Sequence, residues 1–191
     1  GAVRERTAIT RLTEAYPDLT LDDGYAIQDE VTRRRIARGE HQIGAKLGLT
    51  SRAKAVQMNV SEPVYGRLFS TGLHPANEPF VVSSLIHPRV EPEIVFVMKD
   101  RLAGPGVSAA DVIAATKAVC CGLEIIDSRY DDFSFTAADV VADNTSEAKL
   151  VLGPKMVDPT GLDLGLVGLL LEVDGDQVAT ACGAATMGHP A

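Results

Sequence analysis

What this sequence lacks first is an excess of basic charge: 18 Lys and Arg stand against 26 Asp and Glu, for a formal net charge of −8. A nucleic-acid binder needs a cationic footprint to neutralise phosphates, so no nucleic-acid partner is expected. The one basic cluster, Arg33-Arg34-Arg35 with Arg38, falls on a helical pattern beside Asp29 and Glu30 and reads as a solvated face or a subunit contact. An acidic chain does not draw in anions by its overall field, so any anion site has to be built locally. Long apolar runs are missing too. The longest, Leu164 to Leu171, is interrupted by Gly165 and Gly168 and falls far short of the roughly 20 residues that span a bilayer, so no membrane partner is expected. Arg4, Glu5 and Arg6 lead into no apolar block, which makes a cytoplasmic setting the expectation. Cysteine is scarce, and Cys120, Cys121 and Cys182 show no CxxC spacing; they are expected to be buried free thiols in a reducing compartment. No GxGxxG or P-loop pattern supports a nucleotide cofactor, and there is no internal repeat.

What is present is an ordinary globular composition, 46% hydrophobic and 23% charged over 191 residues, with room for one domain and a small N-terminal appendage. The first twenty residues look weakly helical. Thr20 with Asp23 three residues on predicts a capped helix carrying Tyr25, Ile27, Val31 and Ile36 and closing at Gly39. His41 to Leu49 is strand-like, and Ser51 to Met58 suits a short capped helix. Val90 to Met98 is the clearest strand, β-branched and aromatic-rich. Ser108 with Asp111 opens a second capped helix whose face is expected to include Val112, Ile113, Thr116 and Val119. Gly122 to Asp127 and Leu150 to Leu152 read as buried strands, and Leu166 to Val173 with Gln177 to Ala181 as a hairpin turning at Asp174-Gly175. The expected class is α+β dominated by sheet, with a helical region at 1–40 and a β-rich catalytic domain at 41–191.

The sharpest local feature is Glu91-Pro92-Glu93. Strand side chains alternate faces, so both carboxylates project to one side, where they repel unless water or a cation neutralises them. Pro92 cannot donate to a ladder, which places the pair at a strand start, an edge or a bulge. Solvated carboxylates on an edge strand are the alternative. Glu124 and Asp127 sit in an otherwise apolar strand, where a carboxylate is costly unless paired or metal-bound. If adjacent strands bring Glu91, Glu93 and Glu124 together, three hard oxygens suit Mg²⁺ or Mn²⁺ and not a His/Cys zinc site; a salt bridge from Glu124 to Arg129 or Arg89 is the other option. Lys46, between Gly44 and Gly48, can approach a ligand closely, pair with a carboxylate or move a proton, or simply lie exposed. Asp127-Ser-Arg129-Tyr130 and Asp143-Asn144-Thr145-Ser146 put polar groups at the ends of apolar segments, with Arg129 a candidate anion partner or a holder of Asp127. His87 and His189 read as structural.

Taken in order, Gly44-x-Lys46-x-Gly48-Leu-Thr-Ser51, Ile86-His-Pro-Arg-Val-Glu91-Pro-Glu93-Ile, Leu123-Glu124-Ile-Ile-Asp127-Ser-Arg129 and Ala142-Asp-Asn144 resemble the hydratase/decarboxylase branch of the fumarylacetoacetate hydrolase superfamily. The resemblance covers roughly residues 20–191. It implies a mixed β-roll, barrel-like core with a small helical N-terminal region. It implies Mg²⁺ or Mn²⁺ held by Glu91, Glu93 and Glu124. It gives catalytic roles to Lys46, Asp127 and Arg129 and substrate contacts to Lys46, Leu47 and Ser146. The implied substrate is a small 2-oxo dicarboxylic acid, and the implied assembly is a homo-oligomer, alone or complexed with a hydratase of the same pathway. Two activities of the branch stay open: decarboxylation of a 2-oxo dicarboxylic acid and hydration of a 2-hydroxydienoic acid. The Ile86–Ile94 phrase and the run Asp127-Ser-Arg-Tyr-x-x-Phe133-x-Phe135 resemble the decarboxylating side more. A non-catalytic partner subunit is a third option. The family continues past Gly188-His-Pro-Ala191 with a further helix and strands, a part expected to be absent from this sequence.

Overall fold

The computed structural model describes residues 1–191. In chain order the helices are α1 (Ala2–Glu5), α2 (Leu12–Ala15), α3 (Leu21–Ala37), α4 (Arg52–Gln57), α5 (Ala109–Ala115) and α6 (Ala137–Ala142). The strands are β1 (Gln42–Gly48), β2 (Val64–Phe69), β3 (Leu73–His74), β4 (Arg89–Met98), β5 (Thr116–Ile126), β6 (Glu147–Leu152), β7 (Gly168–Val173) and β8 (Asp176–Cys182). β1 and β2 form an antiparallel pair in which Lys46 lies opposite Gly66. A four-stranded sheet runs β3-β6-β5-β4, so β5, which carries Glu124, is hydrogen-bonded to β4, which carries Glu91 and Glu93. The class is mixed α and β with a small helical N-terminus.

The contacts divide the chain into two compact units. One comprises Gly1–Glu91 with Glu124–Val151. Its core collects Val64, Phe69, Ile125, Tyr130, Val140, Val141 and Leu150. α3 and α6 meet there at close range: a Cβ on Gly24 would lie 2.6 Å from the Ala138 carbonyl oxygen. Beside it the wholly buried Gln28 amide donates to the Tyr65 and Val141 carbonyls at 2.9 and 3.1 Å. The N-terminal segment is tied down by Ile9, which exchanges backbone hydrogen bonds with Arg129 and Asp131 at 2.8 and 3.0 Å. The other unit comprises Pro92–Leu123 with Leu152–Ala191. Val119, Cys120 and Leu164 are buried in it, Val119 and Val157 bond reciprocally at 2.8 and 2.9 Å, and the β7–β8 hairpin turns at Asp174-Gly175 as expected.

Both anticipated capping boxes form, Thr20 with Asp23 and Ser108 with Asp111, each side chain satisfying backbone N–H groups that helix geometry leaves orphaned. A third, Thr136 with Asp139, opens α6, a helix not anticipated from the sequence; β2 was not anticipated either. The second capped helix is shorter than expected. It stops at Ala115, and Thr116 and Val119 lie in β5 instead of on a helix face. The Thr116 hydroxyl donates to the Val112 carbonyl at 2.7 Å, closing the last turn, and the chain continues from there in the ladder of β5. The cysteines also depart from expectation: Cys120 is buried, but Cys121 and Cys182 are exposed. Alternation along β5 sends Cys121 to the face opposite Cys120, and every residue of β8 is exposed.

Candidate metal centre

Strand alternation does for Glu91 and Glu93 what the sequence suggests, putting both on one face of β4. The neighbouring β5 adds Glu124, and one carboxylate oxygen from each of the three lies within 4.8 Å of the others. Glu91 is exposed, Glu93 half-buried and Glu124 buried. Two oxygens on an octahedral Mg²⁺ at about 2.1 Å stand about 4.2 Å apart when opposite and about 3.0 Å apart when adjacent, so carboxylate rotations that close the cluster by up to about 2 Å let it hold one ion. All three donors are hard oxygens, which fits Mg²⁺, Mn²⁺ or Ca²⁺ and does not fit a structural zinc site.

Glu124 supplies a second observation pointing the same way. Its Oε1 is buried and has only the Lys46 ammonium, 2.9 Å away as an ion pair, beside it. A buried carboxylate oxygen left with unused lone pairs is a strong ligand in waiting. Burial raises the Glu124 carboxyl above the usual range; Lys46 works against that rise, and Glu91 and Glu147 add to it. Cations placed there would stabilise the charged form that burial disfavours.

Lys46 itself is held from two sides. Its ammonium pairs with Glu124 and donates to the Thr145 carbonyl at 3.0 Å. That carbonyl belongs to an unusual turn. Asn144, Thr145 and Ser146 are all buried, and all three take left-handed backbone, with φ of 52°, 51° and 59°. Such a conformation costs about 1–2 kcal/mol per non-glycine residue, so the surroundings have to enforce it. Asn144 is pinned to β2 in the manner of a strand partner: its side chain accepts from Arg67 N at 2.7 Å and donates to Arg67 O at 2.9 Å. β2 can receive the turn only because residue 66 is glycine. A Cβ there would stand 2.1 Å from Thr145 Oγ1 and 2.7 Å from the Asn144 carbonyl oxygen.

The other residues singled out in the sequence are engaged in holding this frame. Both Asp127 oxygens accept from Ile86 N, at 3.1 and 3.0 Å, and one accepts from His87 N at 2.8 Å. Asp127 thus fixes the segment that leads into β4 against the end of β5. Arg129 pairs with Asp143, bonds its carbonyl, and donates to the Asp127 and Glu147 carbonyls at 2.8 and 3.0 Å. Burial raises the Asp143 carboxyl, and Arg129 opposes the rise. The Ser146 hydroxyl donates to Asp143 at 3.3 Å. Leu47 is 56% exposed, and alternation along β1 sends its side chain to the face opposite Lys46. So the structure brings Lys46 together with Glu91, Glu93 and Glu124, sets Asp127, Arg129 and Ser146 behind them, and leaves Leu47 on another face.

Sequence reasoning passed over Gly66 and the buried Glu147, and gave Thr145, named within the Asp143–Ser146 stretch, no role of its own. Burial raises the Glu147 carboxyl, and Arg35, bonded to it at 3.0 Å and stacked over Phe69, counters that. A glutamate directly after the flagged Asp143–Ser146 stretch was the available signal for Glu147.

A mixed α/β chain with three hard carboxylates beside a half-buried lysine has the donor set of a divalent-metal enzyme. The comparisons with known proteins agree with that class. No protein-family model matches the sequence. The chain is 44% identical over 183 residues to the 4-oxalocrotonate decarboxylase of Pseudomonas sp. (strain CF600), a match that covers 96% of this chain and 69% of that protein. It is 40% identical over 190 residues to the 2-hydroxypent-2,4-dienoate hydratase of Pseudomonas putida, covering 99% of this chain and 86% of the hydratase. Among solved structures, the 4-oxalocrotonate decarboxylase from Pseudomonas putida G7, complexed with magnesium and adipate, superposes with a TM-score of 0.95 at 41% identity, covering 99% of this chain and 72% of that one. The chain belongs to the family these enzymes form, the hydratase/decarboxylase branch of the fumarylacetoacetate hydrolase superfamily.

Proposed function

We propose that the chain is a divalent-metal lyase that decarboxylates 4-oxalocrotonate (2-oxo-3-hexenedioate) to 2-hydroxypenta-2,4-dienoate and CO2. The observation that carries this reading is the cluster of Glu91, Glu93 and Glu124 with Lys46 paired to its buried member. The decarboxylases at 44% identity and at TM-score 0.95, the latter holding magnesium and a six-carbon dicarboxylate, support it. In this reading the three glutamates hold Mg²⁺ or Mn²⁺, which supplies Lewis-acid polarisation of a 2-oxo group. Three carboxylates and one ammonium leave these residues at a net −2, so the cation brings the set to neutrality before a dianion arrives. Lys46 binds the carboxylate end of the substrate with an N–H left over from Thr145 and Glu124, and steadies the negative charge that develops as CO2 leaves. Asp127 and Arg129 act as positioning residues, because their polar atoms are spent on the backbone of residues 86–87, 127, 143 and 147. Ser146 serves the same frame through Asp143. The finer features of the reading are a β-roll core of the superfamily type and assembly as a homo-oligomer, alone or with a hydratase of the same pathway.

A second reading, hydration of 2-hydroxypenta-2,4-dienoate, is favoured by the hydratase match, which spans 86% of that relative. Ultraviolet spectroscopy of 2-oxo-3-hexenedioate with purified protein and Mg²⁺, with CO2 followed in parallel, separates the two. Metal-dependent CO2 release establishes the decarboxylase. Consumption of 2-hydroxypentadienoate without CO2 establishes the hydratase. Metal binding with turnover of neither leaves a non-catalytic partner subunit.

A further inference from the structure

We propose that Arg89, seated on Phe133, is the residue that reads the distal carboxylate of a six-carbon dicarboxylic substrate. The proposal rests on the decarboxylase reading above and goes beyond it by naming how a diacid is told from a monoacid.

Arg89 is the first residue of β4 and is exposed. It stands two residues before Glu91, so alternation puts it on the same face as the carboxylates. Two steps along a strand are about 7 Å. The carboxyl carbons of an extended six-carbon diacid, five bonds of roughly 1.5 Å apart along a zigzag, are separated by about 6 Å. A diacid whose 2-oxo acid end lies at the glutamate cluster, and which runs along β4 towards its start, brings its far carboxylate to the level of Arg89.

The guanidinium is held for such a task. It lies over the Phe133 ring, 3.8 Å from the centroid. A cation–π contact engages the guanidinium by its charge and leaves its N–H donors, the part that grips a carboxylate in bidentate fashion, available to a ligand. The platform is itself braced. The His87 ring packs against Phe133 at 4.8 Å between centroids, and His87 Nε2 is 2.7 Å from the Ser128 carbonyl. The backbone at Asp132 and Phe133 is left-handed, with φ of 55° and 56°. A strained conformation at two successive bulky or charged residues is kept where a side chain has to be aimed. The two sequence phrases that lean towards a decarboxylase, around Arg89 and around Phe133, meet at this contact.

Charge counting asks for the same residue. With a divalent cation bound, the three glutamates and Lys46 sum to zero, which suits neither end of a dianion in particular. A monoacid takes that neutral set to −1. A diacid takes it to −2, and Arg89, on the same face of β4 two residues from Glu91, brings the total back to −1.

The test uses the Mg²⁺-loaded full chain and two non-reacting probes, 2-oxoadipate and 2-oxohexanoate, which share the 2-oxo acid end and differ in the distal carboxylate. Binding of each is measured by calorimetry. The unaltered protein is expected to prefer 2-oxoadipate by roughly 10- to 100-fold, the scale of a charge-assisted hydrogen-bonded pair. Arg89→Met should bind both acids alike, at the affinity the unaltered protein shows for 2-oxohexanoate, which also verifies that the variant is folded. Arg89→Lys should keep part of the preference. A preference that survives Arg89→Met, or equal binding of the two acids by the unaltered protein, overturns the proposal alone. Binding of neither acid overturns the decarboxylase reading and the proposal with it.

Discussion

Replacing Gly66 by alanine puts the central packing argument at risk in one step. The added Cβ would sit 2.1 Å from Thr145 Oγ1 and 2.7 Å from the Asn144 carbonyl oxygen, where ordinary contact begins near 3.4 Å. The first overlap can be relieved by a rotation about the Thr145 side chain. The second is with backbone, so the turn has to retreat from β2 by about 0.7 Å or more. Retreat stretches both Asn144–Arg67 hydrogen bonds, now 2.7 and 2.9 Å, and draws the Thr145 carbonyl away from Lys46. Overpacking of this kind costs about 1–3 kcal/mol, and weakening two buried hydrogen bonds adds about 1 kcal/mol each at most. A total near 3 kcal/mol lowers the melting temperature of a chain this size by roughly 6–12 °C. Urea denaturation and thermal melting measure the first effect. Turnover measured well below the new melting temperature should fall further than the folded fraction does, since the lysine has lost a support. In the double variant Gly66→Ala/Thr145→Ala, the 2.1 Å overlap disappears and part of the stability should return. A Gly66→Ala protein within 0.5 kcal/mol of the original, with unchanged turnover, would refute the account of how the turn is held.

Other outcomes follow from the same geometry. Glu124→Gln removes the buried charge from the carboxylate cluster, and calorimetric titration with Mg²⁺ should show affinity reduced by about 100-fold or more; unaltered affinity would place the cation elsewhere. Asp127→Asn replaces one acceptor oxygen by a donor facing the Ile86 and His87 N–H groups, so stability should drop by about 1–3 kcal/mol and Mg²⁺ affinity with it, because Glu91 lies just beyond that segment. Burial works to raise the Asp139 carboxyl, but hydrogen bonds from Thr136 and Thr13 outweigh it and hold the group below the usual carboxylate range. A depressed native value means stability that is present above the unfolded value and lost as pH falls through the folded one. Asp139→Asn should therefore cost about 1–2 kcal/mol near neutrality, with the gap in urea midpoint closing below about pH 4; a gap constant across pH would count against the linkage.

The sequence made some of this legible because the governing physics is local. Period-two alternation sufficed to put Glu91 and Glu93 on one face, and the x-x-Asp spacing after Thr20 and Ser108 sufficed to start α3 and α5. The same spacing after Thr136 would have revealed α6, but with Val140, Val141 and Ala142 around it the segment has no polar face to show helical periodicity. Where α5 ends was not legible, since that depends on Thr116 turning its hydroxyl back to Val112. Nor could the sequence say whether Arg129 meets a ligand or the frame, because its partners Asp143 and Glu147 come from a turn whose left-handed path only tertiary packing enforces. Gly66 illustrates the limit most clearly. One glycine in a strand means little until the backbone that crowds it, some eighty residues on, is in place.

The left-handed run at Asn144–Ser146 also bears on how this protein could change over generations. Glycine at position 145 would release a conformational penalty of the order of 1 kcal/mol, which makes it one of the simplest stabilising substitutions open to the chain. That same residue carries the carbonyl that steadies Lys46, and a slack glycine turn would hold it less firmly. A lineage selected only for heat resistance would drift towards the glycine and lose turnover, whereas one selected for turnover keeps threonine and accepts a lower melting point.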